Sequence, residues 1–257
     1  MIEVNNLSHT YDQRQVLCHF SAHFNKGSFC AVMGPNGSGK STLLRCIARL
    51  LKVQSGSILL EGRDITSFKI LELARMISYV PQREDVIFDF SVYDTIMMGR
   101  NPYQKRWEFT TNQDEEIIRK VLEKTKLDSL KNRLLGQLSG GELRRVMIAR
   151  AIAQQTPLLL LDEPLANLDI VHQFEIMNIL KDLNHNSNIT VIIVMHDIPI
   201  ALQYATQVLL LKNGKILDFG ETAEVLTDGN VKDCFNLDSS YTYCSDGVVK
   251  INVSGSK

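Results

Sequence analysis

The stretch from Gly34 to Thr42 constrains the fold of this chain more than any other feature. It reads Gly34-Pro35-Asn36-Gly37-Ser38-Gly39-Lys40-Ser41-Thr42 and fits the pattern G-x-x-x-x-G-K-[ST] at every position. A strand-like apolar run, Phe29 to Met33, precedes it, and a helix-like run, Ser41 to Leu51, follows. Glycines between a strand and a helix let the backbone curl, so that its N–H groups and the positive helix N-terminus face an anion. The sequence therefore predicts a phosphate-binding loop.

Two side chains of this loop suit nucleotide chemistry. Lys40 can reach the β- and γ-phosphates of a nucleoside triphosphate, and the Ser41 hydroxyl can ligate Mg²⁺. An accidental match in an ordinary glycine-rich turn is the alternative, which the flanking strand-like and helix-like runs disfavour. On its own the loop indicates a nucleoside triphosphatase and does not say what the hydrolysis drives.

Composition narrows the class of protein. The chain has 257 residues, of which 44% are hydrophobic, enough to bury one substantial core. Its formal net charge is -1 and it has no long basic run, so charge-driven binding to nucleic acid is not expected. The longest apolar runs, such as Leu158–Leu161 and Val191–Met195, are far shorter than the ~20 residues of a membrane span. We therefore expect neither a nucleic-acid partner nor a membrane-spanning segment.

The order of the apolar segments predicts an α/β fold. The early runs Ile2–Val4, Val16–Phe20 and Ile58–Leu60 indicate strands separated by polar turns. The runs Leu158–Leu161 and Val191–Val194 do not alternate with polar residues, which is typical of strands buried on both faces.

The remaining signals complete this prediction. Asn213-Gly214 lies between two apolar runs and indicates a hairpin, and helical spacing dominates from about residue 86 to about residue 154. We predict a single domain over 1–257, with a P-loop NTPase core, N-terminal antiparallel β elements, an inserted helical subdomain and a short C-terminal tail. The expected bounds are about 1–85 and 155–221 for the core, about 86–154 for the helical subdomain, and 222–257 for the tail.

A second motif places two carboxylates after a buried strand. It reads Leu158-Leu159-Leu160-Leu161-Asp162-Glu163-Pro164. Asp162 is expected to hold the Mg²⁺ shell, and Glu163 to polarise the attacking water as general base. A surface strand end with solvated acids is the alternative, which the intact phosphate-binding loop disfavours.

A third motif, Leu138-Ser139-Gly140-Gly141-Glu142, opens a predicted helix. Ser139 with two glycines at a helix start forms another anion-facing set of N–H groups and a hydroxyl. A plain capped helix is the alternative, with Ser139 as the cap and Glu142 three residues later. Because one such loop is enough for one nucleotide, the second predicts a second role.

With these three motifs in order, the sequence resembles the ATP-binding-cassette (ABC) ATPases over nearly its whole length. The segment LSGGE is similar to the family signature, usually written LSGGQ. By this resemblance, Tyr11 stacks on adenine, and Gln82 lies in the loop that touches Mg²⁺ and couples to the membrane partner. Asp169 matches the loop that crosses the dimer, and His196 matches the switch histidine that contacts the γ-phosphate.

Three of these residues also have plain structural alternatives. Tyr11 could be an ordinary half-buried tyrosine, and Gln82 could be a solvated loop glutamine. His196 could be a strand-end histidine bonded to backbone. One position departs from the family pattern, because the crossing loop usually begins with Ser where this chain has Ala166. That change removes a hydroxyl from the implied interface, while Asp169 remains.

The resemblance implies a homodimer with two composite sites. The phosphate-binding loop of one protomer faces Ser139, Gly140 and Gly141 of the other, with ATP and Mg²⁺ between them. A chromosome- or repair-type ATPase needs long coiled-coil or zinc insertions, and a translation-type ATPase carries two cassettes. The chain shows neither pattern, so the resemblance implies the ATPase subunit of a transporter. Its partners are separate integral membrane permease subunits and, indirectly, a solute-binding protein, and its location is peripheral, at the cytoplasmic face of the inner membrane.

The start of the helical insertion points to a type of cargo. The run Ser91 to Arg100, followed by Asn101-Pro102-Tyr103, is similar to the pattern V-x-x-x-V-x-x-G-R-x-P of ATPases serving ferric-siderophore, haem and cobalamin importers. Ile96 stands at the second apolar position, and packing of the subdomain is the plain alternative. The resemblance therefore implies import of a metal chelate. An importer of an oxyanion such as molybdate, or an exporter, stays open.

Overall fold

The computed structural model describes residues 1–82, 90–104, 111–236, 238–243 and 249–254. They form two compact units, one made of Met1–Ser67 with Thr190–Lys257, the other of Phe68–Ile189. The predicted layout of core, helical subdomain and tail stays a prediction. Residues 86–89 and 105–110 of that subdomain, and 237, 244–248 and 255–257 of the tail, lie outside the described residues.

The elements are named here in chain order. The strands are β1 (Ile2–Tyr11), β2 (Arg14–Phe24), β3 (Phe29–Met33), β4 (Ser55–Leu60), β5 (Arg63–Asp64), β6 (Ile77–Val80), β7 (Leu158–Asp162), β8 (Thr190–Val194), β9 (Gln207–Lys212), β10 (Lys215–Glu221), β11 (Asp238–Tyr243) and β12 (Val249–Ser254). The helices are α1 (Lys40–Ile47), α2 (Ile70–Ala74), α3 (Val92–Met97), α4 (Asn112–Lys124), α5 (Gly140–Ala153), α6 (Ile170–Ser187), α7 (Ile198–Tyr204), α8 (Thr222–Val225) and α9 (Asp228–Phe235).

The first unit begins with an antiparallel sheet. Its strand order is β2-β1-β4-β5, and Ile2 faces both Phe24 on β2 and Leu60 on β4. These three apolar side chains are fully buried. The predicted N-terminal antiparallel elements are thereby confirmed, although β1 and β2 run further than the apolar stretches Ile2–Val4 and Val16–Phe20.

The same unit contains a mostly parallel group of strands in the order β10-β9-β3-β8. Strand β3 runs parallel to both β8 and β9, and every residue of β3 and β8 is buried. For β8, the lack of alternation predicted this burial. Asn213-Gly214 makes the predicted hairpin between β9 and the antiparallel β10. Because Val32 pairs with Val194, the loop after β3 and His196 after β8 leave the sheet at the same edge.

The second unit pairs β6 with β7 in parallel, with Val80 opposite Leu161. All five residues of β7 are buried. Since the carboxyl ends of parallel strands meet at one edge, Gln82 after β6 and Glu163 after β7 emerge side by side. The helices of this unit include α5, which is buried on several sides along its second half, at Val146, Met147, Ile148, Ala149, Ala151 and Ala153.

The insertion-start motif packs this second unit. Arg100 is 4% exposed, and its Nε donates to Asp114 Oδ1 at 2.8 Å while its Nη1 donates to the Ala153 carbonyl at 2.8 Å. Its guanidinium carbon lies 4.1 Å from the centroid of the Tyr103 ring. A Cβ at Gly99 would stand 2.3 Å from the Arg150 carbonyl oxygen. The motif therefore packs against the C-terminal end of α5. This is the plain packing role, and the contacts themselves do not identify a cargo.

Among the residues that the structure describes, no helix is both long enough and apolar enough to cross a membrane.

Candidate active site

The phosphate-binding loop is fixed by contacts between main-chain atoms in the first unit. Gly34 has φ 148°, and a Cβ there would lie 2.0 Å from the Leu211 carbonyl oxygen. Gly39 has φ 108°, and a Cβ there would lie 2.7 Å from the Val16 carbonyl oxygen. Both positions combine positive φ with a close backbone, which only glycine allows without strain. The pattern therefore specifies this loop conformation through its glycines.

Lys40 closes over the same loop. The residue is 4% exposed, and its Nζ donates to the carbonyls of Gly34 and Pro35 at 2.9 Å each. It is also the first residue of α1, whose N-terminus carries no side-chain cap. An ammonium and an uncapped helix start together make the loop electropositive toward an anion.

Ser38 shows that the loop suits a ligand with acceptor oxygens. The residue is 2% exposed, and no described residue gives its Oγ a hydrogen-bond partner. The Oγ lies 3.0 Å from the position of a Cβ on Gly34, so it is turned into the loop. A buried hydroxyl without a partner costs about 1–3 kcal/mol, and a phosphate oxygen would satisfy it. The loop thus fits a nucleotide phosphate.

Two further predicted residues of the first unit lie at strand ends. Tyr11 ends β1 with 40% of its surface exposed, and its ring meets His9 edge-on, with centroids 4.8 Å apart. His196 is exposed two residues after β8. An exposed aromatic face is compatible with stacking on a base, and the adenine role of Tyr11 stays a prediction, as does the phosphate role of His196.

The second unit brings the two carboxylates and the predicted glutamine together. Asp162 is fully buried at the end of β7, and the Tyr79 hydroxyl donates to its Oδ2 at 3.2 Å. Glu163 follows with φ 47°, a left-handed conformation that costs a non-glycine residue about 1 kcal/mol or more. Gln82 Nε2 donates to Glu163 Oε2 at 2.5 Å.

The oxygen atoms of these residues suit Mg²⁺. The hydroxyl of Ser41, the amide oxygen of Gln82 and the carboxylate of Asp162 are hard ligands of the kind that Mg²⁺ prefers. The donor chemistry of the predicted set therefore fits the ion.

The LSGGE segment, Leu138 to Glu142, forms a capped and exposed helix start. Ser139 Oγ accepts from the Glu142 backbone N–H at 3.3 Å, and Glu142 Oε2 accepts from the Ser139 N–H at 2.8 Å. The Ser139 N–H lowers the pKa of Glu142 below its usual value. Ser139 and Gly140 are exposed, and a Cβ at Gly140 would meet nothing within 4 Å. The capping box is confirmed, and the anion role stays a prediction.

Asp169 caps the next helix, α6. Its Oδ1 accepts from the His172 backbone N–H at 2.9 Å, and its Oδ2 lies 2.8 Å from His172 Nδ1. These contacts with His172 lower the pKa of Asp169. The His172 ring reaches the LSGGE segment, because a Cβ at Gly141 would lie 3.8 Å from its Nδ1. Ala166 is exposed at the start of this loop.

The sequence analysis did not identify Arg144, which contacts the main chain beside both Gln82 and Glu163. Its guanidinium donates to the carbonyls of Pro81 at 2.5 Å, Asp162 at 3.0 Å and Pro164 at 3.1 Å. Its partners are main-chain carbonyls 18 to 63 positions away, so no local pattern identifies them. The only signal in the sequence is a basic residue two positions after the LSGGE segment.

Comparison with known proteins agrees with this geometry. The family model described as ABC transporter matches residues 17–166. The petrobactin import ATP-binding protein FpuC of Bacillus anthracis is 42% identical over 239 residues, which cover 93% of this chain and 88% of that protein.

Two solved structures are similar in fold. A metal-chelate type ABC transporter in an inward-facing conformation matches with a TM-score of 0.84 and 29% identity, over 98% of this chain and 96% of that one. A dimeric, post-hydrolysis ATP-binding cassette bound to ADP and phosphate matches with a TM-score of 0.77 and 28% identity, over 86% of this chain and 99% of that one. With its phosphate-binding loop, paired carboxylates and LSGGE segment, this chain belongs to the ABC transporter family, as an ATPase subunit that binds ATP.

Proposed function

We propose that this chain drives the import of a metal chelate, such as a ferric siderophore, haem or cobalamin, by hydrolysing ATP. The observation that carries the proposal is its 42% identity to a petrobactin import ATP-binding protein over nearly the full length of both chains. The metal-chelate type transporter structure supports the same cargo class. Import of an oxyanion such as molybdate, and export, are the alternatives that an uptake experiment separates.

In this proposal the loop from Gly34 to Thr42 holds the phosphates of ATP, and Tyr11 stacks on adenine. Lys40 neutralises the outer phosphates. Ser41, Gln82 and Asp162 hold Mg²⁺, which when bound neutralises charge on the phosphate oxygens.

Glu163 is the general base of the proposal, and its surroundings suit that role. Its carboxylate already accepts a hydrogen bond from Gln82, so a water taking the place of that amide would be aimed at the same oxygen. As the water gives up its proton to Glu163, its oxygen bonds to the γ-phosphorus, the bond from that phosphorus to the bridging oxygen breaks, and ADP leaves with that oxygen. His196 contacts the γ-phosphate. Asp162 is fully buried next to Glu163 in the chain, and the hydrogen bond from the Tyr79 hydroxyl fixes the position of its side chain.

The proposed working form is a homodimer that closes on two ATP molecules. Ser139, Gly140 and Gly141 of one protomer would complete the γ-phosphate surroundings of its partner, with Asp169 in the loop that crosses between them. The exposure of Ser139 and Gly140 and the solved dimeric cassette support this arrangement. The further proposed partners are integral membrane permease subunits and, on the other side of the membrane, a solute-binding protein. In this proposal the chain is a peripheral subunit at the cytoplasmic face of the membrane.

Glu163→Gln tests the catalytic proposal. We expect ATP binding to persist and hydrolysis to fall at least about 100-fold, the scale of a lost general base, so that a closed dimer accumulates. Light scattering with saturating ATP measures the dimer, and phosphate release measures the rate. The exposed Glu115→Gln serves as a matched control and keeps the wild-type behaviour. A Glu163→Gln protein that stays monomeric, or hydrolyses ATP at the wild-type rate, contradicts the proposal.

Elemental uptake by the host tests the cargo. Cells with the wild-type chain are compared, under metal limitation, with cells that carry only Glu163→Gln, and whole-cell mass spectrometry reports each element. A selective loss of iron, or of cobalt supplied as cobalamin, supports a chelate importer. A loss of molybdenum moves the chain to the oxyanion alternative, and no change in any element overturns the chelate proposal.

A further inference from the structure

We infer that Arg144 is a positioning residue for hydrolysis, which holds the main chain around Glu163 and Gln82 in its reactive arrangement. The inference rests on the proposed function, since it takes Glu163 as the base. Arg144 lies on α5 in the second unit, as do all the contacts that carry the inference.

Arg144 brackets Glu163 on both sides. Its Nη2 donates to the carbonyl of Asp162 at 3.0 Å, and its Nε donates to the carbonyl of Pro164 at 3.1 Å. These are the residues directly before and after Glu163. A guanidinium offers its N–H groups in one rigid plane, so two carbonyls bound to it are held at a fixed separation. The peptide that carries the base is therefore clamped at both ends.

The same guanidinium holds the segment that carries Gln82. Its Nη1 donates to the carbonyl of Pro81 at 2.5 Å and reaches the carbonyl of Gln82 at 3.5 Å. The ends of β6 and β7 are thus joined through one side chain. The distance of 2.5 Å between Gln82 Nε2 and Glu163 Oε2 depends on that joint, because both residues lie beyond the last paired positions of their strands.

The backbone of Glu163 needs such a support. With φ 47° it occupies a left-handed conformation, which persists in a non-glycine residue only where surrounding contacts fix it. Without Arg144, two carbonyls beside Glu163 lose a charged donor, and the turn can relax toward an ordinary conformation. The carboxylate would then leave the position from which it takes a proton.

Arg144 also connects the base with the start of its own helix. It lies on α5 a little more than one turn after Ser139, the residue that caps this helix. A ligand that contacts Ser139 to Gly141 and shifts the helix start would therefore shift the guanidinium, and with it Glu163. Arg144 thus joins the helix that the LSGGE segment opens to the main chain on both sides of Glu163.

Arg144→Gln tests this role, with Arg145→Gln as the matched control. Arg145 is the next residue of α5, and its side chain, 12% exposed, pairs with Glu175 on α6 at 3.4 Å. We expect Arg144→Gln to lower kcat at least about tenfold while the Kd for ATP changes less than about twofold, because the lost contacts hold the base and not the nucleotide. Arg145→Gln should lose similar thermal stability and keep its kcat. A wild-type kcat for Arg144→Gln, or an equal loss in the control, overturns the inference.

If Arg144→Gln does not fold, Arg144→Lys carries the same expectation. Lysine keeps the charge and most of the apolar stem, and its single ammonium cannot reach carbonyls on separate segments in the way a planar fork does. A folded Arg144→Lys protein with a wild-type kcat would show that the fork is not needed, and would overturn the inference.

A double mutant separates this inference from the proposed function. If Arg144 acts through Glu163, adding Arg144→Gln to Glu163→Gln lowers the residual single-turnover rate by less than about twofold, since the two changes remove one shared effect. Independent, multiplied losses contradict the inference. The Glu163→Gln protein alone reports on the base, so a wild-type rate in that variant refutes the proposed function whatever Arg144 does.

Discussion

The chain has two glycine-rich helix starts, at Lys40 and at Gly140, and they are built in opposite ways. At the first, Lys40 and Ser38 are buried, and the main chain of Leu211 lies 2.0 Å from where a Cβ on Gly34 would be. At the second, Ser139 and Gly140 are exposed, and nothing lies within 4 Å of a Cβ on Gly140.

The difference indicates which start is complete within one protomer and which is open to another molecule. The phosphate-binding loop has its charge, its hydroxyl and its backbone supports from its own unit, so it can receive phosphate without further protein. The LSGGE segment has its capping box between Ser139 and Glu142 and the His172 ring beside Gly141, while Gly140 stays open. An exposed glycine such as Gly140, with no described atom near its Cβ position, suits close approach by another molecule. This is the reason a second protomer is part of the proposed function.

The largest expected effect comes from placing the same methyl group in both starts. Gly34→Ala should lower the free energy of unfolding by about 3 kcal/mol or more, because it combines a backbone clash with positive φ. Gly140→Ala should leave that free energy within about 0.5–1 kcal/mol of the wild type, since alanine favours the helix and meets no atom. Urea unfolding measures both.

The same pair of variants separates stability from assembly. In a Glu163→Gln background, Gly140→Ala should weaken the ATP-bound dimer about tenfold, or about 1.4 kcal/mol, because the methyl blocks approach of the partner. Sedimentation at several protein concentrations gives this affinity. Equal stability losses at Gly34 and Gly140, or an unchanged dimer, would remove the distinction between the two starts.

Lys40→Ala probes the charge of the first start. A hydrogen bond to a charged group contributes about 1.5–3 kcal/mol, so the Kd for ATP should rise between about 10-fold and 150-fold. Isothermal titration with ATP measures it, and the exposed Lys52→Ala should bind as the wild type does. An unchanged Kd in Lys40→Ala would count against the phosphate role of this ammonium.

The smallest expected effect concerns acid and the ion pair at the C-terminal end of α5, the helix that the second start opens. Burial would raise the pKa of Asp114, but hydrogen bonds from Arg100 and Thr111 outweigh it and hold this pKa below its usual value. A carboxylate with a lowered pKa in the folded state stabilises above the unfolded value, near pH 4, and this stabilisation is lost as the pH falls through the folded value.

We therefore expect acid to loosen the unit that contains α5. As the pH falls from 7 to below about 4, the wild type should lose the stabilisation that this carboxylate contributes. Asp114→Asn should lose less over the same range. Unfolding midpoints at a series of pH values give the comparison, and parallel curves for the two proteins would show that this ion pair does not contribute.

Contiguous signals in the sequence predicted the elements that carry the site. The loop after β3, the buried strands β7 and β8, the Asn213-Gly214 hairpin and the capped start of α5 are each specified by neighbouring residues. Local patterns succeed here because positive φ, capping and burial on both faces are decided within a few positions.

The features that the sequence analysis predicted wrongly or missed depend on residues distant in the chain. The apolar run to Leu51 predicted a longer α1, but the helix ends at Ile47 and Arg49 adopts φ 56°. The Arg49 side chain donates to the Ile65 carbonyl at 3.1 Å, a tertiary contact absent from the local pattern. Arg144 and Tyr79 were missed for the same reason, since their partners come from other elements.

The two bonds that Lys40 makes to its own loop affect how fast and how tightly an anion can bind. The ammonium group of Lys40 already donates to the carbonyls of Gly34 and Pro35. An arriving phosphate therefore replaces these hydrogen bonds and does not simply add new ones. The enthalpy gained by such an exchange is modest. In return, the lysine rotamer and the loop are ordered before the encounter, and little conformational entropy is lost on binding. A loop of this kind is adapted to repeated capture and release of nucleotide, which a transport cycle requires.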